Sequence, residues 1–332
     1  MGVDAVRAAV LGLGTYVPPR VLTNDDLARL VDTSDEWITT RTGIRRRHIA
    51  DPDQATSDLA LPAARSALEA AGVPAEELDL VLVGTATPDM LFPATACLLQ
   101  DRLGARRAGA FDLLAACSSF VYGLISASQL IQAGLVRYAL VVGAETLSRL
   151  IDWEDRRTCV LIGDGAGAAV LGPSRSGAGI SSGVLGADGS AGEVLKVPAG
   201  GSRLPVTAEV IERRLHRAYM DGQAVFRLAV RTVPPLVQEA VRRAGWTLQD
   251  VDLIVPHQAN ARIIEATAAQ LGLPMEKFVV NIQEYGNTSA ASVPLALDEA
   301  VRSGRIRDGS RLVLAAFGGG FTYAACTLVW GR

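Results

Sequence analysis

Two stretches of this chain about 170 residues apart follow one plan in the same order, and any fold must accommodate that duplication. The first runs through Ala70-Ala71-Gly72 into the apolar segment Leu78-Asp79-Leu80-Val81-Leu82-Val83. The second runs through Arg243-Ala244-Gly245 into Val251-Asp252-Leu253-Ile254-Val255. Each continues into a helical pattern ending in Leu103-Gly104 or Leu271-Gly272, then a short apolar strand, 110–114 or 278–282. A helix rich in small residues follows, 118–133 or 289–302, with Gly134 or Gly304 as its C-terminal stop. A further strand comes next, 139–142 or 312–315. Strands alternating with helices predict an α/β fold with mainly parallel, mixed sheets, divided into halves 1–172 and 173–332. The two small-residue helices are apolar nearly all round, which places them between the sheets. Residues 183–205 read as long loops around a binding region.

The chain is 49% apolar and 20% charged, a composition that buries a core rather than staying disordered. Its net charge of −3, with both signs interspersed, gives no global attraction to nucleic acid or an anionic membrane. Asp4 and Arg7 interrupt the N-terminal stretch, and no segment reaches the roughly 18 apolar residues of a membrane span. The expectation is a soluble, cytoplasmic protein. Its four cysteines, Cys97, Cys117, Cys159 and Cys326, are widely spaced without a C-x-x-C pair, so neither a metal cluster nor a disulfide framework is expected.

Cys117 stands apart because it falls where a strand turns into a buried helix. Unpaired amides at a helix N-terminus favour an anion, so a thiol there is expected to ionise readily and attack a thioester. The other three cysteines sit inside regular patterns and read as packing. Among three histidines, His48 and His216 lie beside arginines and read as surface or loop positions. His257 ends the strand 251–255, the edge at which α/β folds place ligands, although a structural histidine fits equally well there. Asn287, in Tyr285-Gly286-Asn287-Thr288-Ser289, occupies the strand-to-helix turn that holds Cys117 in the first half. It reads as a catalytic donor or as a turn and N-cap residue. Gly318-Gly319-Gly320 fits a hairpin turn or an amide presented to a ligand. Gly163-Asp164-Gly165-Ala166-Gly167 lacks the ending of a phosphate loop and reads as packing.

At Ala116-Cys117, Val255-Pro256-His257-Gln258-Ala259-Asn260 and Gly286-Asn287-Thr288-Ser289-Ala290-Ala291-Ser292 the chain resembles the initiating β-ketoacyl-acyl-carrier-protein synthases (type III) of the thiolase superfamily. Thr33-Ser34-Asp35-Glu36-Trp37-Ile38, Arg41-Thr42-Gly43-Ile44, Asp155-Arg156 and 317–322 extend the likeness along nearly the whole chain. The resemblance implies a five-layered thiolase-like fold of two duplicated halves and a homodimer. It also implies that Cys117 takes an acyl group from acyl-coenzyme A, while the amides of Cys117 and Gly319 hold the oxyanion. His257 and Asn287 would donate to the malonyl thioester carbonyl. Trp37 and Arg156 would sandwich the adenine of coenzyme A, with Arg41 nearby and Asn260 on the pantetheine arm. Phe92 would cap the acyl pocket of the partner subunit. Gln258, Arg262 and Arg227 would dock an acidic acyl carrier protein. Both thioesters would be substrates, with no cofactor.

Two positions depart from the family pattern. Gln270 falls where relatives carry lysine, which bears on docking, and Ser119 replaces a glycine, which bears on the floor of the acyl pocket. An acyltransferase or starter-unit ketosynthase of specialised metabolism is the alternative on the same scaffold, though Asn287 and the 258–262 segment argue for the condensing enzyme. A non-catalytic carrier-binding protein would not need Cys117, His257 and Asn287 together.

Overall fold

A computed structural model describes residues 7–174 and 176–331; Asp4 and the outermost residues of both halves lie outside that range. The first sheet comprises β1 (Arg7–Tyr16), β2 (Leu80–Gly84), β3 (Gly109–Leu113), β4 (Ala139–Glu145) and β5 (Gly165–Ser174), in the order β1-β5-β4-β2-β3. The second comprises β6 (Gly179–Ala187), β7 (Leu253–Pro256), β8 (Arg311–Gly318) and β9 (Thr322–Val329), in the order β7-β8-β9-β6. Both are mixed. β2 runs parallel to β3 and β4, and β7 to β8, whereas β1, β5, β6 and β9 enter antiparallel ladders.

The helices that position the site are α1 (Asp35–Thr42), α2 (Thr56–Ala71), α3 (Thr95–Leu103), α4 (Ser119–Gln132), α5 (Gly222–Arg243), α6 (Ala261–Leu271) and α7 (Ser292–Arg302). Packing arranges these elements in five layers. α2 and α3 cover the outer face of the first sheet, α4 and α7 lie between the sheets, and α5 and α6 cover the second. The apolar character of the middle helices is thereby explained. Phe120, Val121 and Leu124 of α4 and Val293 and Leu297 of α7 are buried in one cluster with Leu80 and Val141 from one sheet and Leu312 and Leu314 from the other. Burying each such side chain contributes about 1.5–3 kcal/mol. The two halves therefore share a core.

Three sequence expectations need correction. The strand expected at 278–282 is a single bridge, Ile254 with Phe278. The Gln258 side chain replaces the rest of the ladder, donating to the Val279 carbonyl (3.0 Å) and accepting from the Asn281 amide (3.1 Å). The helices expected from 118 and 289 begin instead at Ser119 and Ser292, each after a tight 3-10 turn, Ala116–Ser118 or Ser289–Ala291. Ala116 and Ser289 both sit at φ 48°, a left-handed conformation that costs a non-glycine residue about 1–3 kcal/mol and makes the elbow abrupt. Finally, 183–187 completes strand β6 rather than starting a loop. Gly163–Gly167 does pack as structure: Asp164 is buried and accepts from the Ala50 and Ser148 amides and the Ser148 hydroxyl.

Each elbow is gripped by the opposite half. β4 packs against 289–291, β8 packs against 116–118, and the two elbows touch. Close approach demands glycine at both contacts. A Cβ on Gly143 would lie 2.1 Å from the Ala290 carbonyl oxygen, and one on Gly318 would lie 2.5 Å from the Cys117 nitrogen.

Candidate active site

One narrow cavity of about 100 Å³ is lined by Cys117, His257 and Asn287 together with apolar Leu195, Met220 and Phe317. Cys117 arrives there on the strained elbow ahead of α4. Buried Ser119 accepts the Ala115 N–H at 2.8 Å, so its hydroxyl stabilises the elbow that carries Cys117. Ser119 braces the turn.

The thiol is not acidic in this state. Burial pushes Cys117 up to about 12, nearby Glu145 adds to the rise, and a hydrogen bond with Ser289 opposes it. Burial likewise lifts Cys326 to about 12, so acidity does not set Cys117 apart. Company in the cavity does. Glu145 itself is fully buried and accepts from Thr87 Oγ1 (2.7 Å), Ser289 Oγ (2.9 Å) and the Ala86 amide (3.0 Å). Neither the Cys117 nor the Gly319 amide donates to a backbone carbonyl outside regular helices and strands among the described residues.

Asn287 takes the turn role that its sequence context left open, and it lines the cavity. Its backbone joins Leu161 and Gly163, and its Oδ1 accepts the Ser289 N–H at 2.9 Å, an Asx turn. With the oxygen committed, the Nδ2 group is the part left to donate into the cavity. His257 is held at the end of β7 by its N–H to the Ala315 carbonyl (2.8 Å) and by an edge contact with Phe317 (5.3 Å between ring centres). Burial pushes its pKa down to about 3, so the imidazole is neutral across the physiological range.

Farther out, Trp37 lies beneath two guanidinium groups, with Arg41 at 4.6 Å and Arg156 at 5.1 Å from its ring centre. Arg156 also donates to the Asp32 carbonyl (2.6 Å). The three residues lie together. Asn260 caps α6 through the Arg262 amide (2.9 Å) and donates to the Arg41 carbonyl (3.0 Å), tying α6 to α1 beside the cavity. Phe92 is 84% exposed and lies away from the Cys117 cavity. Arg227 and Arg262 are exposed on α5 and α6, which pack together; Gln270 is exposed on α6 as well.

Gln258 requires a correction. It is 1% exposed, and its amide is used on Pro256, Val279 and Asn281, so it cannot touch a carrier protein and instead shapes the segment leading to Arg262. Sequence reasoning also missed Glu145 and Ser292. Ser292 was detectable, because the repeat aligns it with Ser119 at the first helical position.

The family model described as 3-Oxoacyl-[acyl-carrier-protein (ACP)] synthase III matches residues 111–189, and its C-terminal counterpart matches 241–330. The β-ketoacyl-[acyl-carrier-protein] synthase III of Caldanaerobacter subterraneus is 53% identical over 329 residues, covering 99% of each chain. The chain belongs to the 3-oxoacyl-[acyl-carrier-protein] synthase III family. Family membership makes it a condensing enzyme of the acyltransferase type and fixes the fold as thiolase-like. The synthase III structure from Aquifex aeolicus superposes with a TM-score of 0.91 at 44% identity, covering 97% of this chain and 100% of that one. A priming β-ketosynthase of the R1128 polyketide pathway gives 0.91 at 40% identity, covering 100% and 99%. No helix among the described residues is long and apolar enough to cross a membrane.

Proposed function

We propose that this chain starts fatty-acid synthesis by condensing an acyl group from acyl-coenzyme A with malonyl-acyl-carrier protein, acting in the cytoplasm without a resident cofactor. The observation that carries the reading is the meeting of a thiol, an imidazole and a carboxamide in a single cavity: Cys117, His257 and Asn287.

The reaction divides into two half-reactions. Cys117 sulfur attacks the thioester carbonyl carbon, the oxyanion forms at the amides of Cys117 and Gly319, and the carbon–sulfur bond to coenzyme A breaks. The departing thiolate leaves with the proton that Cys117 gives up. Burial raises that thiol, and its proton passes to the leaving group in the exchange. Malonyl-carrier protein then loses carbon dioxide, leaving an enolate whose oxygen accepts from His257 and Asn287. Its carbon attacks the acyl group, the bond to Cys117 sulfur breaks, and that thiolate takes up a proton. The apolar walls exclude water, which would hydrolyse the acyl-enzyme.

Trp37, Arg41 and Arg156 would receive the nucleotide of coenzyme A, which must displace a guanidinium to stack on the ring. The homodimer is supported by the free edge of β3 and by exposed Leu91, Phe92 and Leu114 nearby in the chain, an apolar surface that needs a cover. Phe92 would then reach the acyl pocket of a second copy. Incubation with acetyl- or branched acyl-coenzyme A, followed by peptide mass analysis, is expected to place the acyl group on Cys117 alone. Acylation of Cys97, Cys159 or Cys326 with Cys117 unmodified would sink the assignment.

Docking of the acidic carrier falls to exposed Arg262 and Arg227. Arg262→Glu is expected to raise KM for malonyl-carrier protein at least about tenfold while leaving KM for acyl-coenzyme A within about twofold. The penalty should shrink as salt screens the contact. Equal effects on both substrates would place Arg262 in the shared tunnel.

A further inference from the structure

The ring of His257 has a hydrogen-bond partner whose consequence is chemical. Ser292 Oγ lies 2.6 Å from His257 Nδ1 and 3.1 Å from the Gln258 amide nitrogen, and Ser292 is 2% exposed. The amide can only donate, so the serine oxygen accepts there. A hydroxyl has one hydrogen, and Nδ1 is the partner positioned to take it. If Nδ1 carried the proton instead, the buried serine hydrogen would face no acceptor among the described residues, a desolvation cost of about 1–3 kcal/mol.

We infer that Ser292 is a positioning residue that locks His257 as the Nε2–H tautomer, making His257 an obligatory hydrogen-bond donor in the condensing half-reaction and barring it from taking the Cys117 proton. The inference rests on the proposed donor role of His257 and sharpens it. A neutral imidazole whose Nδ1 lone pair is held by Ser292 and whose Nε2 already bears hydrogen has no lone pair left for a thiol. The histidine therefore serves the enolate and not the nucleophile. The same lock sets direction: Nε2, on the ring edge away from Ser292, keeps its proton through repeated turnovers without retitrating.

The test joins spectroscopy to kinetics. In full-length protein carrying 15N-labelled histidine, with His257 identified by its loss in His257→Ala, the wild type is expected to show protonated Nε2 and unprotonated Nδ1. Ser292→Ala should mix or reverse the tautomers. It should slow carbon dioxide release from malonyl-carrier protein by about 10–100-fold, leaving acyl-Cys117 formation within about twofold. Ser292→Thr, which keeps the hydroxyl, should recover most of that loss, as a purely steric role would not. A protonated Nδ1 in the wild type would overturn the inference and needs no variant to fold. Unimpaired Ser292→Ala beside defective His257→Ala would sink the inference alone, whereas full release by His257→Ala would sink the donor role beneath it.

Discussion

Asn287→Ala is expected to form acyl-Cys117 at nearly the normal rate yet release carbon dioxide from malonyl-carrier protein roughly 100-fold more slowly or worse. Thiol attack draws on the elbow and the backbone amides, none of which belongs to the Asn287 side chain. Enolate stabilisation needs donors aimed at a second carbonyl, and removing one of two in a water-poor cavity costs several kcal/mol of transition-state stabilisation. Because Asn287 Oδ1 also accepts from Ser289, alanine removes a turn contact as well as a donor. Asn287→Asp separates these effects: it keeps the acceptor, lacks the N–H and places a negative charge where another develops. It should be at least as defective in decarboxylation. Acyl-enzyme mass and carbon dioxide release, measured in parallel on folded protein, decide the matter. Normal release by Asn287→Asp would reduce the residue to a turn former and leave enolate stabilisation to other groups.

The second large effect should come from a methyl group. Gly143→Ala drives a Cβ to within 2.1 Å of the Ala290 carbonyl oxygen, and both atoms belong to packed backbone that cannot rotate away. Overpacking of this kind costs about 1–3 kcal/mol or more. The displaced segment is the elbow just after Asn287, so condensation should fall by about 10–100-fold in the protein that does fold, since small misplacements of catalytic groups carry penalties of that size. Gly109→Ala provides the control, its nearest neighbour being the Asp79 carbonyl oxygen at 3.8 Å. Denaturant midpoints and turnover should separate the two variants. Equal stability would mean that β4 and the second elbow are not pressed together as described.

Much of this molecule was legible because its regularities are local. The buried runs Leu80–Gly84 and Leu253–Pro256 read as strands from their apolar sequence, and Gly134 and Gly304 follow their helices at φ 73° and 72°. Cys117, His257 and Asn287 were found because strand ends and strand-to-helix turns are addresses that a sequence displays. What failed depended on distant partners. Gln258 belongs to a matching motif, and nothing local reveals that its amide substitutes for a strand. Glu145 looks like the ordinary end of a strand until Ser289, 144 residues away, donates to it. The ready ionisation expected of Cys117 considered the helix terminus and omitted burial, which dominates.

The paired elbows also bear on how many reactions one chain can run. By position relative to the left-handed residue, Ala290 is the counterpart of Cys117, and it is fully buried with its carbonyl against Gly143. A thiol at Ala290 would find neither space nor substrate. On the proposed roles, duplication has produced a division of labour instead of a second workplace: one copy of the elbow would hold the acyl cargo while the other, relieved of that duty, would supply the tool that acts on the incoming extender. Losing either copy would cost the whole activity, not half of it.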